Sequence, residues 1–179
     1  LDAEGIEVQA VHTFQDERTN ITYYDGVKVR DSYRLGEVDG GVRVMTGALQ
    51  LEHGGGFAKT QWAMVRAAEQ LCRDVRRGSS LLIENVDAQK RLARSTLHVL
   101  LSEVIANRAL WAGVQKLPSL AYGPMAKLFS SEKFLSDAAD LLDLTAPHSL
   151  SKRKGPAGFL NQCYRHAQGS TIYGGTSEV

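Results

Sequence analysis

Glu52 is the residue whose type and surroundings could most readily do chemistry. It stands among Leu49, Leu51 and Phe57 and is followed by His53 and then by Gly54, Gly55 and Gly56. Each glycine costs about 1 kcal/mol relative to alanine in a helix interior, so something other than helix stability accounts for the run. Because glycines remove side chains, a groove or a flat ligand can lie against the backbone there, with the carboxylate at its edge. The plainer alternative is a solvated helix carboxylate beside a glycine packing contact. The helix taken alone favours that alternative, since lone motif matches carry a high false-positive rate. Cys72 and Cys163 are too few for a disulfide framework and show no neighbour pattern for a metal or a nucleophile.

The stretch that must position Glu52 runs from Gly41 to Arg77. Val44, Leu51, Phe57, Met64, Val65, Ala68 and Leu71 recur along it at helical spacing, so it reads as one long amphipathic helix. Ahead of it, GIEVQAVHTF (5–14) and NITYYDGVKV (20–29) alternate as half-buried strands do, and LGEVDGG (35–41) reads as a linking loop. Two strands alone are marginal in water, so they are expected to belong to a larger sheet. Three further helices are expected. Asp87 to Gly113 carries Leu92, Val99, Val104, Ile105, Leu110 and Trp111 on one side, and Met125 to Leu144 carries Leu128, Phe129, Leu135, Ala138, Leu141 and Leu142. Phe159 to Gln168 follows the polar, Pro- and Gly-rich segment TAPHSLSKRKGPAG. The expected fold is therefore mainly α, an antiparallel four-helix bundle over 41–179 preceded by two strands in 1–40.

Composition narrows the partners. Twenty-one Lys and Arg against 20 Asp and Glu give a net charge of +1 over 179 residues, which predicts neither nucleic-acid binding nor attraction to a membrane surface. With no signal peptide and no long apolar run, a reduced, cytoplasmic protein is expected. The chain starts at Leu1 rather than methionine and stops just after a Thr-Ser-Glu helix-start signal, so it reads as cut at both ends.

The C-terminal YRHAQGSTIYGGTSEV resembles the signature of the acyl-CoA dehydrogenase family, Tyr-Arg-Asp-Ala, five variable positions, then Tyr-(Glu or Gly)-Gly-Thr-(Ser or Asn)-Glu. Tyr164, Arg165, Ala167, Tyr173, Gly174, Gly175, Thr176, Ser177 and Glu178 match, with His166 where the family has Asp. AKLFSSE (126–132) is similar to the family's Ala-Lys-x-x-(Ala or Ser)-(Ser or Ala)-Glu helix start, and LGEVDGGVRVM to its strand-to-helix join. The resemblance covers nearly the whole chain, as the end of a middle β-domain plus most of a C-terminal helical domain.

It implies FAD-dependent α,β-desaturation of an acyl-CoA thioester, with electron-transfer flavoprotein as acceptor and a homo- or hetero-oligomer, dimer or tetramer, as the assembly. Many members keep the catalytic glutamate directly after the signature tyrosine, where this chain has Gly174. Long-chain and isovaleryl members carry it on the first helix of the C-terminal domain, and an ungapped alignment from Gly41 puts Glu52 there. By resemblance, then, Glu52 is the base, Gly174 supplies a backbone N–H to the thioester carbonyl, Tyr173 lines the acyl pocket, and Thr176 and Glu178 contact FAD, although read as residues alone they serve equally as a helix cap, Thr176 and Ser177 being ordinary N-cap types. His53 stands where those relatives have an arginine beside CoA. RDVRRGSSL replaces the Arg-x-x-Phe-Gly motif, leaving Arg77 as the candidate for its arginine, and LDLTAPHS replaces the Gln-x-x-Gly-Gly loop. The acyl group is expected to be branched or bulky, the chain by itself inactive, and the compartment the cytoplasm or, failing that, the mitochondrial matrix. The competing readings are a non-catalytic partner subunit of a hetero-oligomeric dehydrogenase and an oxygen-using flavoenzyme on the same fold.

Overall fold

The computed structural model describes residues 3–52, 57–117 and 121–178, with the side chains of 50–52 outside that description. It divides into two compact units, Leu1–Leu49 and Gln50–Val179.

The first unit holds an antiparallel hairpin, β1 (Ile6–His12) with β2 (Arg18–Tyr24), in a register that pairs Ile6 with Tyr24 and His12 with Arg18. Its turn passes through Asp16 at φ 63°, a left-handed position that aspartate tolerates better than most residues. The second strand ends at Tyr24, short of the expected 29, because Asp25–Gly26 turn the chain and Gly26 takes φ 60°. Helix α1 (Gly41–Glu52) follows, leaving Val42, Met45 and Leu49 exposed.

The second unit is the bundle: α2 (Ala58–Asp74), α3 (Val86–Val114), α4 (Tyr122–Leu144) and α5 (Pro156–Ser170). The helix expected from Gly41 to Arg77 is not continuous. Phe57, immediately before α2, sits off helical dihedrals at φ −86° and ψ 6°. At the other end Val75 is extended, and Arg76–Arg77 (β3) pair with Ser80–Leu81 (β4) across a turn in which Gly78 takes φ 67°. The Gly-Ser-Ser sequence therefore makes a tight hairpin that stops α2 three residues early.

Helix α3 starts where Asn85 caps it, its Oδ1 accepting from the N–H of Asp87 at 2.8 Å and of Ala88 at 3.2 Å. Helix α5 starts with Pro156 in its first turn, where the missing N–H costs nothing.

Side-chain pairings fix the helix directions. Arg91, Arg94 and His98 on α3 meet Asp143, Asp140 and Asp137 on α4 in reversed order, so the two run antiparallel. On α5, Ser170 reaches the Ser131 carbonyl near the start of α4, again antiparallel. Gln61 near the start of α2 reaches the Ser130 carbonyl, so α2 and α4 run alike. The result is an up-down-up-down bundle around Met64, Ala68, Val99, Phe134, Leu141 and Leu160.

Two expected faces are corrected. On α3, Leu92 and Val99 are buried, but Val104 and Trp111 are exposed on a second apolar stripe opposite the core face, and Leu110, in phase with Leu92, is exposed towards the C-terminal end of the helix. On α4, Leu128 is exposed, and Ala126, Ser130 and Ser131 take the core face, their small side chains letting α4 pack closely on its neighbours.

Candidate active site

The loop following α5 gathers the sequence-predicted residues that the structure does place together. Thr171 ends the helix, and the N–H groups of Ile172 and Tyr173 both return to the Gly169 carbonyl, at 2.9 and 3.1 Å. Gly174 and Gly175 then take φ 67° and 96°, two consecutive left-handed residues that only glycine adopts cheaply. The next stretch comes back across the first turns of α4. Lys127 donates from Nζ to the Gly175 carbonyl, and Ser177 donates from Oγ to Glu132 Oε1 at 2.6 Å.

Between this loop and α4 lies a cleft of about 420 Å³, lined by Pro124, Met125, Lys127 and Leu128 on one side and Gly174 to Glu178 on the other. Its volume falls within the range of about 300–1,000 Å³ typical of small-molecule sites. Lys127 is 9% exposed, so a cation is held at the wall of an otherwise largely apolar opening.

Tyr173 forms the outer part of an aromatic group. Its ring meets Phe57 edge-on at 6.0 Å, Phe57 stacks on the fully buried Phe134 at 5.6 Å, and Phe134 meets His166 at 6.0 Å. The Tyr173 hydroxyl lies 3.2 Å from His166 Nε2. Phe57, expected on the helix beside Glu52, is thus committed to the bundle, where it backs Tyr173.

Several expected site residues fall elsewhere. Glu52 is the last residue of α1, and its side chain lies outside the described residues, as does His53. Arg77 donates from Nη2 to the Leu144 carbonyl at 3.5 Å, at the far end of α4 from Lys127. At about 1.5 Å per residue that separation is about 25 Å, so Arg77 does not share the cleft with Thr176 and Glu178. Both thiols are buried. Burial raises the pKa of Cys72 and pushes that of Cys163 up to about 12, which leaves them inert as nucleophiles. Among the described residues no group of three or more potential metal ligands occurs, and no helix is long and apolar enough to cross a membrane.

Sequence reasoning did not assign roles to Lys127 and Glu132. They were visible only as part of AKLFSSE, and their partners lie 48 and 45 positions away. His166 was noted as a departure from the signature, without its partner.

Residues 39–179 match the family model for the acyl-CoA dehydrogenase C-terminal domain. The chain belongs to the acyl-CoA dehydrogenase family. Solved structures place it on the same fold. It superposes on a chain of the ChsE4-ChsE5 complex from Mycobacterium tuberculosis with a TM-score of 0.85 and 25% identity, over 99% of this chain and 48% of that one. Glutaryl-coenzyme A dehydrogenase in its glutaryl-CoA complex gives 0.86 and 20% identity, over 99% and 46%. Butyryl-CoA dehydrogenase from Megasphaera elsdenii gives 0.87 and 16%, over 99% and 47%. No curated protein sequence matches. The chain thus spans about half the length of these solved chains.

Proposed function

We propose that this chain is the helical half of an FAD-dependent dehydrogenase that introduces a double bond between the α and β carbons of an acyl-CoA thioester. The observation that carries the reading is the cleft between α4 and the 174–178 loop, where consecutive left-handed glycines expose backbone beside the Tyr173 aromatic wall. A Cβ at either glycine would both strain the backbone and narrow that opening.

These residues fit one edge of a flavin nucleotide: a largely apolar cleft, backbone free of side chains, and polar groups at Thr176, Ser177 and Glu178. Thr176 and Glu178 would hold FAD there. Arg77, at the other end of α4, would serve a flavin at a different site, as an arginine reaching toward a neighbouring subunit does. FAD, when bound, supplies the acceptor for the hydride that leaves the β carbon.

Within this reading Glu52 carboxylate removes the α proton. The electron pair of that C–H bond moves into the new double bond as the β hydride departs. A carboxylate gains basicity when its surroundings are apolar, since desolvation disfavours the ion. The Gly174 N–H donates to the thioester oxygen, where charge builds in the transition state. Tyr173, held between Phe57 and the His166 ring, orients the acyl chain, and His53 is assigned, by its place in the sequence, a contact with the CoA portion. Electron-transfer flavoprotein is the proposed acceptor.

Gly174 leaves open the side of the pocket where other members carry a carboxylate, so the preferred acyl group is branched or bulky. The test compares kcat/KM for butyryl-CoA with that for branched and bulky acyl-CoA thioesters in the full-length protein. A higher value for the branched or bulky substrate is expected, and a higher value for butyryl-CoA would reject the size argument.

A second reading, a non-catalytic partner in a hetero-oligomer, draws support from the likeness to a chain of the ChsE4-ChsE5 complex and from the two-faced α3. Absence of turnover with every thioester by FAD-loaded protein would favour it.

A further inference from the structure

We propose that Lys127 is a positioning residue for the backbone donor of this site, clamping the 174–175 glycine pair so that the Gly174 N–H keeps one direction. The inference rests on the role given above to that N–H.

Consecutive left-handed glycines are the most permissive backbone a chain can have, and a hydrogen-bond donor carried on such a pair has no fixed aim of its own. Here the pair is anchored on both sides. Upstream, the Tyr173 N–H is tied to the Gly169 carbonyl at the end of α5. Downstream, Lys127 Nζ grips the Gly175 carbonyl. Because a trans peptide is planar, holding that carbonyl also fixes the Thr176 N–H on its opposite edge. The Gly174 N–H lies between the two anchors, with only the dihedrals of residues 173 to 175 free to move it. Ser177, bonded to Glu132 at 2.6 Å, adds a second tie from α4 just beyond.

Lys127 suits this task better than a surface residue would. It is 9% exposed and sits in the first turns of α4, so its reach to the loop is set by a packed helix. An ammonium donating to a carbonyl also makes a stronger bond than a neutral donor does. Preorganised donors matter because the transition state gains most from groups that need not reorient.

Two measurements test this. In the chain itself, hydrogen–deuterium exchange in K127M should quicken about tenfold at residues 171–178 and stay unchanged in α2 and α3, whereas K127R should keep slow exchange. In the full-length protein, K127M should lower kcat by roughly tenfold to a hundredfold, short of the ~10²–10³ lost when a donor is removed outright, with KM shifting less than about threefold. K127R should recover most of that loss.

Unchanged exchange at 171–178 in K127M would overturn the proposal, and so would unchanged kcat. Quickened exchange spread through α2 and α3 would also overturn it, by assigning Lys127 to bundle stability. A wild-type protein that turns over no acyl-CoA would instead reject the proposed function, while the exchange data still decide whether Lys127 holds the loop.

Discussion

Asp137 shows how a single buried ionisable group ties this bundle to pH. It is 2% exposed, and His98 Nδ1 lies 2.9 Å from one carboxylate oxygen and 3.0 Å from the other. Burial pushes the Asp137 carboxyl above the usual carboxylate range, and the His98 hydrogen bond offsets this only in part. A group with a raised native pKa holds more protons folded than unfolded. Its stabilising contribution is therefore complete below the unfolded value of about 3.9 and is lost as pH rises through the native value. Asp137→Asn removes that dependence. The stability of the variant relative to wild type, measured by urea unfolding, should therefore rise as pH climbs from about 4 through the raised Asp137 value. A relative stability that falls over that window would contradict the assignment.

At the scale of elements, the 152–155 segment can fold back against the first turn of α5 only because Gly158 is a glycine. A Cβ there would lie 1.6 Å from the Arg153 carbonyl oxygen and 2.7 Å from its carbon, both backbone atoms that cannot swing aside. Gly158→Ala is expected to cost about 3 kcal/mol or more, at or beyond the upper end of ordinary overpacking. Urea unfolding reads it, and a loss under about 1 kcal/mol would show that the 152–155 segment gives way instead.

Helix α3 poses the opposite case, a face without a neighbour. Leu97, Leu100, Leu101, Val104 and Trp111 fall on one exposed stripe, opposite the buried Leu92, Ser95 and Val99. An apolar stripe without a neighbour is the face that a partner helix would cover. Self-association through α3 is expected in sedimentation, and Leu101→Glu with Val104→Glu should shift the chain to monomer. A wild-type monomer at high micromolar concentration would rule it out.

This helix also marks where the sequence was legible and where it was not. Periodicity placed all four bundle helices, because each presents an apolar face at the helical repeat. It could not divide α3's apolar residues between two faces, since a count of apolar positions does not say which stripe meets which helix. Nor did it find that Phe57, just ahead of α2, leaves helical dihedrals, since the apolar repeat continues in phase through it. For the site, the second half of the signature, Tyr173 to Glu178, lies in one loop, whereas Thr176 to Glu178 read in the sequence as the start of a helix. The Lys127 and Glu132 ties stayed hidden because they join positions far apart in the chain.

Over the whole molecule, the proposed base and donor both fall in the second unit, Gln50–Val179. The bundle unit holds Gly174, Thr176 and the aromatic wall, while Glu52 ends α1 just past the boundary at Gln50. On the proposed reading the catalytic carboxylate stands on this helix, and the signature position holds Gly174 in its place. The measurement that bears on it most directly is kcat/KM on an accepted acyl-CoA in the full-length protein for wild type, Glu52→Gln, and Glu52→Gln with Gly174→Glu. A loss of at least about a hundredfold is expected in Glu52→Gln, in keeping with the ~10²–10⁴ that a general base contributes, with partial recovery on short chains when Gly174→Glu restores a carboxylate at the signature position. Undiminished turnover in Glu52→Gln would contradict it.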